Sequence, residues 1–209
     1  MDKANEYLAH AQIRPVGEAA VMVSFGDIVD PDLFYCAQAL SEALEKEPFP
    51  GLREFESSYT GVTIFYDPLV LAQHSSLPED GTLSKGYREA KARLEALLQK
   101  AKINKEGGRP TVRIPVCYGG EFGPDLDYVA EYHHMTPEDV IRIHSGATYL
   151  VYMIGFAPGY PYMGGLPEEI STPRRKTPRL KIPKGTVALA GSQAGVYPLE
   201  TPGGWQLLG

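Results

Sequence analysis

Cysteine is nearly missing from this 209-residue sequence: Cys36 and Cys117 are the only two. They form no CxxC pair and no disulfide framework, which excludes a stapled secreted scaffold and a paired-cysteine metal site. Both are expected to act as small buried hydrophobes. No apolar run approaches the roughly 20 residues needed to cross a bilayer, and the opening MDKANEYLAH lacks the apolar centre of a signal peptide. A cytoplasmic protein is therefore expected. Positive charge is in deficit, with 20 Lys and Arg against 26 Asp and Glu and a net charge of −6. Nucleic acid is not expected as a main partner of such a chain. The familiar catalytic signatures are absent too: there is no GxxxxGK[ST], GxGxxG, GxSxG or HExxH.

What remains is the composition of an ordinary folded protein, 43% hydrophobic and 22% charged. Its length suits two domains, read as 1–105 and 106–209. In the first, Val21, Val23 and Phe25 alternate as in a strand. Asp30-Pro31 then caps a helix with Leu33, Ala37, Leu40 and Leu44 inward, ending before Pro48. Residues 52–66 predict two strands around Gly61, followed by a loop with Pro68 and Pro78. Leu83, Tyr87, Ala90, Leu94, Leu97 and Ala101 mark a long amphipathic helix. The pattern predicts an α+β domain, a small antiparallel sheet with two helices. The segment KINKEGGRP, with Gly107-Gly108, is the expected linker and puts the boundary near residue 106.

In the second domain, TVRIPVCY over 111–118 predicts a strand interrupted by Pro115. Asp125 and Asp127 fit a helix start, where acids suit the dipole, and also the alternative of a carboxylate pair. His133 and His134 lack zinc-site spacing. Thr136-Pro137 caps a further helix, and the spacing of Val140, Ile141 and His144 turns His144 inward. A satisfied core histidine and a proton-transfer group both remain open for it.

The centre of this half is a strand, 149–154, running into GFAPGYPYMGG. Proline fixes φ and glycine permits positive φ, so the loop holds one path and displays Phe156, Tyr160 and Tyr162. The prolines of STPRRKTPRLKIPKG exclude a helix and favour an extended path for Arg174, Arg175, Lys176, Arg179, Lys181 and Lys184. Either this is a solvated basic loop, or an arginine folds back to bind carboxylate or phosphate bidentately. TVALAG and VYPLE predict short strands around Ser192–Gly195, able to put Gln193 and Tyr197 in one cleft. Short strands with Gly/Pro turns predict a mainly β, small barrel.

IPVCYGGEFGPDLDYVA, VYMIGFAPGYPYMGGL, TPRRKTPR and GSQAGVYPLETPGGWQLLG resemble the KipI family, also known as the B-subunit of 5-oxoprolinase (PxpB) and related to allophanate hydrolase subunit 1. The resemblance covers the second half closely and the first half more loosely. It implies a cyclophilin-like β-barrel. It also implies a subunit that, with PxpA- and PxpC-like partners, opens 5-oxoproline to glutamate at the expense of ATP, with no metal site evident. The other role it implies is inhibition of a sporulation sensor histidine kinase, countered by a KipA-like antagonist.

Carried onto this sequence, the family motifs imply a cleft with His144, Arg174 and Arg179 as catalytic groups. Tyr152, Phe156, Pro158, Gly159, Pro161, Tyr162, Gln193 and Tyr197 would bind substrate. Family chains continue past GGWQLLG with further barrel strands, whereas this sequence stops at Gly209. A truncated chain, or a sheet completed by another chain, is expected from that difference.

Overall fold

The computed structural model describes residues 3–78, 84–105 and 110–209. The chain divides into two compact units, residues 1–109 and 110–209. The expected linker glycines and boundary at 106, and the helix position Leu83, lie outside the described residues.

The first unit runs α1 (Lys3–Ala9), β1 (Gln12–Pro15), β2 (Ala20–Ser24), α2 (Pro31–Lys46), β3 (Leu52–Ser57), β4 (Gly61–Tyr66), α3 (Pro68–His74) and α4 (Lys85–Lys100). Its sheet is antiparallel in the order β1-β2-β4-β3. Alternation along β2 and β4 sends Val21, Val23, Val62 and Ile64 to one face. There they pack with Leu33, Ala37, Leu40 and Leu44 of α2 and Tyr87, Ala90, Leu94 and Leu97 of α4. The Asp30 carboxylate accepts from the Asp32 amide at 2.8 Å and starts α2 as its sequence requires. Residues 68–74, expected as loop, are helical for the same reason: Asp67 accepts from the amides of Leu69 and Val70, and Pro68 occupies the first turn.

The second unit runs α5 (Leu126–Tyr132), α6 (Pro137–Gly146), β5 (Leu150–Ile154), β6 (Pro161–Gly164), β7 (Arg179–Ile182), β8 (Val187–Ala190), β9 (Gln193–Val196), β10 (Thr201–Gly203) and β11 (Gln206–Leu207). Five strands form a sheet in the order β11-β8-β9-β6-β5, and β10 pairs with β7 apart from it. Its paired strands are antiparallel. No closed barrel is formed among the described residues. The sheet is open, so the barrel expectation is corrected to a mixed α/β fold with antiparallel sheets. Residues 111–118 also differ from expectation. They join no strand ladder among the described residues, and Pro115 removes a donor that such a ladder would use. Cys117 is accordingly exposed, while Cys36 is buried as expected.

The five-stranded sheet has two differently covered faces. Leu189 and Leu208 point to the side of α5 and α6, where they meet Leu126, Val129, Val140, Leu166 and Ile170. Their neighbours Ala188, Ala190 and Leu207 point the other way, into Tyr160, Ile182, Tyr197 and Trp205. Strand alternation thus separates a helical face from an aromatic face.

Candidate functional site

The aromatic face is built on small residues. Cross-strand register places Tyr162, Gly195 and Ala188 in one row on β6, β9 and β8. A Cβ at Gly195 would collide with the Tyr160 hydroxyl, so glycine is what lets that ring lie on the sheet. Tyr160 becomes the centre of the cluster, its ring centroid 4.9 Å from Tyr162, 5.1 Å from Tyr197, 5.5 Å from Phe156 and 5.8 Å from Trp205. Several of these contacts are edge-on, the arrangement aromatic quadrupoles favour. Tyr152 is buried and lies over Gly164 in the same manner.

The loop from Gly155 to Tyr160 is closed by its own backbone. The Ala157 amide donates to Gly155 O at 2.7 Å, Tyr160 to Ala157 O at 2.9 Å, and Gly155 to Tyr160 O at 3.1 Å. Gly159 has φ 85°, and Phe156, with a Cβ, sits at φ 64°. A bulky residue in this region is strained by about 1 kcal/mol or more. Its ring is nonetheless 63% exposed, so neither backbone preference nor burial explains the choice of residue. Pro158 and Gly159 are exposed beside it, while Pro161, Tyr162 and Gln193 are half-buried. Tyr197 is 2% exposed, and burial raises its hydroxyl's pKa.

Opposite the rings runs the PRRKTPR segment, and its three arginines have different surroundings. Arg179 grips Asp125 with both terminal nitrogens at 2.8 Å, a bidentate fork, and Arg175 adds a third bond at 2.8 Å. The Leu207 amide gives Asp125 a fourth donor, also at 2.8 Å. The carboxylate is 3% exposed and makes no side-chain cap for α5. Arg174 is exposed, with its guanidinium carbon 5.9 Å from the Trp205 ring centroid, a cation–π arrangement.

His144 is elsewhere. It lies on α6, 5% exposed, among Tyr118 and Tyr149, which pack on the helical-face core. The Tyr118 hydroxyl is 2.7 Å from Nδ1, and the Tyr149 hydroxyl donates to the His144 carbonyl at 2.8 Å. Nε2 is buried without a hydrogen-bond partner among the described residues. Burial lowers the pKa of the imidazole to about 4, so it is neutral at physiological pH. Phe156, Tyr160, Tyr162, Tyr197 and Arg174 are thus brought together, with Arg179 adjoining through Asp125, while His144 sits on the far side of the sheet. The residue that sequence reasoning misses is Asp125, for which a helix-start reading is sufficient locally. Its ion-pair partners are 50 and 54 positions away, and no short motif links them.

No group of three or more His, Cys, Asp or Glu able to hold a metal is present among the described residues. The first turn of α6 is closed by the Thr136–Asp139 capping box, and that of α5 has the Asp125 carboxylate at its start. Two of the three arginines are already committed to that carboxylate. Neither α-helix start of this unit therefore offers a free phosphate site for ATP.

A mixed α/β unit with an aromatic sheet face and an arginine-rich strap is what the geometry defines. The family model described as carboxyltransferase domain, subdomain C and D, matches residues 11–209. The 5-oxoprolinase B-subunit of Bacillus subtilis (strain 168) is 43% identical over 95% of this chain and 81% of its own length. The protein of that name from Haemophilus influenzae is 54% identical over 56% of this chain and 54% of its own. Among solved structures, TTHA0988 superposes with a TM-score of 0.74 at 33% identity, covering 95% of this chain and 35% of that one. The Kluyveromyces lactis urea carboxylase has a TM-score of 0.72 at 17% identity over 95% of this chain and 19% of that one, a likeness of fold. The chain belongs to the family of KipI and the 5-oxoprolinase B-subunit (PxpB).

Proposed function

We propose that this chain is a cytoplasmic component of an ATP-dependent 5-oxoprolinase, opening 5-oxoproline to glutamate together with PxpA- and PxpC-like subunits. The observation that carries the reading is identity of 43%, sustained over 95% of the chain, to the 5-oxoprolinase B-subunit of Bacillus subtilis. The two compact units are taken as its domains, with the boundary near residue 106.

The aromatic face supports the substrate. 5-Oxoproline is a flat five-membered lactam with one carboxylate. Arg174, fixed over Trp205 and not committed to Asp125, suits the carboxylate. The rings of Phe156, Tyr160 and Tyr162, with Tyr152, Pro158, Gly159 and Pro161 around them, form an apolar wall for the lactam. Gln193 and Tyr197 supply hydrogen bonds. Opening the ring breaks the lactam C–N bond and adds the oxygen of water to the carbonyl carbon; one proton of the water goes to the departing nitrogen, and the other leaves the new carboxyl group to make that nitrogen an ammonium. A cation near the developing oxyanion lowers that barrier. Arg179 and His144 act through other residues here: Arg179 through Asp125, and His144 by holding Tyr118. ATP is bound by another part of the assembly.

The test is reconstitution. Mixing the chain with PxpA- and PxpC-like subunits, ATP and 5-oxoproline should yield glutamate, and omission of the chain should abolish it. No glutamate from the complete mixture would refute the reading.

A further inference from the structure

Arg174 and Trp205 meet because the segments on either side of each are tied together. On one side of Arg174, the Pro173 carbonyl accepts from Gln206 Nε2 at 2.9 Å. On the other, the Arg175 amide donates to the Gly204 carbonyl at 2.7 Å. The two anchors lie immediately before and after Trp205 in the sequence. A further tie bears on both strands at once. Asp125 Oδ1 accepts from the Arg175 and Arg179 guanidiniums, and Oδ2 accepts from Arg179 and from the Leu207 amide. A single buried carboxylate therefore holds the PRRKTPR strap against the 204–207 segment.

Such an arrangement exceeds what stability asks for. A buried ion pair is often no more stabilising than an apolar pair of the same volume, but it fixes direction, since the guanidinium fork accepts one geometry. The residue left outside this lattice is Arg174, which has the indole face beneath it and solvent beside it.

We propose that Asp125 is the positioning residue of this face, locking Arg175 and Arg179 so that Arg174 is presented over Trp205 as the cation that receives a small carboxylate ligand. The substrate part rests on the function proposed above; the positioning part does not.

Trp205 is the sole tryptophan and is 5% exposed, so its emission reports the groups packed on it rather than bulk solvent, and reads the geometry without turnover. A cation over the indole face perturbs the ring's emission. Arg174→Gln should therefore shift the Trp205 emission maximum. Asp125→Asn should shift it equally, and the double variant no further. A wild-type maximum in Asp125→Asn, or summed shifts in the double variant, overturns the proposal, since a merely structural Asp125 would lower thermal stability without moving Arg174. Should Asp125→Asn not fold, Arg175→Gln, which leaves the Asp125–Arg179 fork intact, takes its place. The same shift supports the proposal, and an unchanged maximum overturns it.

A second arm titrates 5-oxoproline against Trp205 emission. Arg174→Gln and Asp125→Asn should each weaken binding about ten-fold, the scale of one charge-assisted hydrogen bond, and Arg174→Lys should restore part of it. Binding unchanged in Asp125→Asn overturns the proposal. If wild type fails to bind 5-oxoproline while the emission shifts behave as stated, the substrate reading fails and the positioning role stands.

Discussion

The buried imidazole of His144 should make this protein acid-sensitive in a way that one substitution removes. Its pKa in the folded chain is lowered by burial from 6.5 to about 4, so protonation is harder in the native state than in the unfolded one. The stabilisation from keeping it neutral is fully present above pH 6.5 and is lost as the unfolded chain takes up the proton between pH 6.5 and about 4. At about 1.4 kcal/mol for each tenfold change, the whole effect is about 3 kcal/mol. Roughly 2.5 kcal/mol of it should be gone by about pH 4.5. His144→Asn keeps a group that can accept from the Tyr118 hydroxyl but does not titrate. Urea denaturation of both proteins from about pH 7.5 to about pH 4.5 isolates the residue, because the carboxylates common to both cancel. The stability gap between wild type and variant should narrow by about 2.5 kcal/mol on acidification. Parallel curves would mean that His144 titrates normally and is not buried as described.

Three further outcomes are expected of the aromatic face and its strap. Asp125→Ala leaves two partly buried guanidiniums without their carboxylate and should cost about 3 kcal/mol, or a fall in Tm of about 6–12 °C for a chain of this length; calorimetry checks it. Gly195→Ala drives a methyl group into Tyr160, which Tyr162, Tyr197 and Trp205 hold in place, and should cost about 2 kcal/mol in urea unfolding, partly recovered by adding Tyr160→Phe. Phe156→Gly relieves the backbone strain at φ 64° but adds chain entropy on unfolding, so its stability should stay within about 0.5 kcal/mol of wild type while its 5-oxoproline affinity falls.

Local rules reach as far as local interactions decide. Asp30-Pro31 and Thr136-Pro137 announce α2 and α6 because a capping side chain and its amides lie within three residues of each other. Asp67-Pro68 carries the same signal yet reads as loop, since seven residues without strong apolar periodicity look like a connection. The strand expected at 111–118 fails for the converse reason: alternation describes a face, but a strand exists only where another backbone lies beside it.

At the site, the inward turn of His144 is legible from its spacing with Val140. Which side of a sheet that interior belongs to is not, because the alternation of Ala188, Leu189 and Ala190 has no visible link to α6 in sequence. An arginine folding back onto a carboxylate can be foreseen as a type of contact. Its partner, Asp125, is legible only as a helix-start acid, since the fork depends on packing across more than 50 residues.

The most direct measurement is glutamate release from 5-oxoproline and ATP in the three-subunit mixture, comparing this chain with its Arg174→Ala and Arg142→Ala forms. Arg142 lies on α6, paired with Asp139 and away from the aromatic face. Wild-type release is expected with Arg142→Ala and at least about ten-fold less with Arg174→Ala, in line with loss of a charge-assisted contact. Equal release from the two variants would contradict the role given to Arg174.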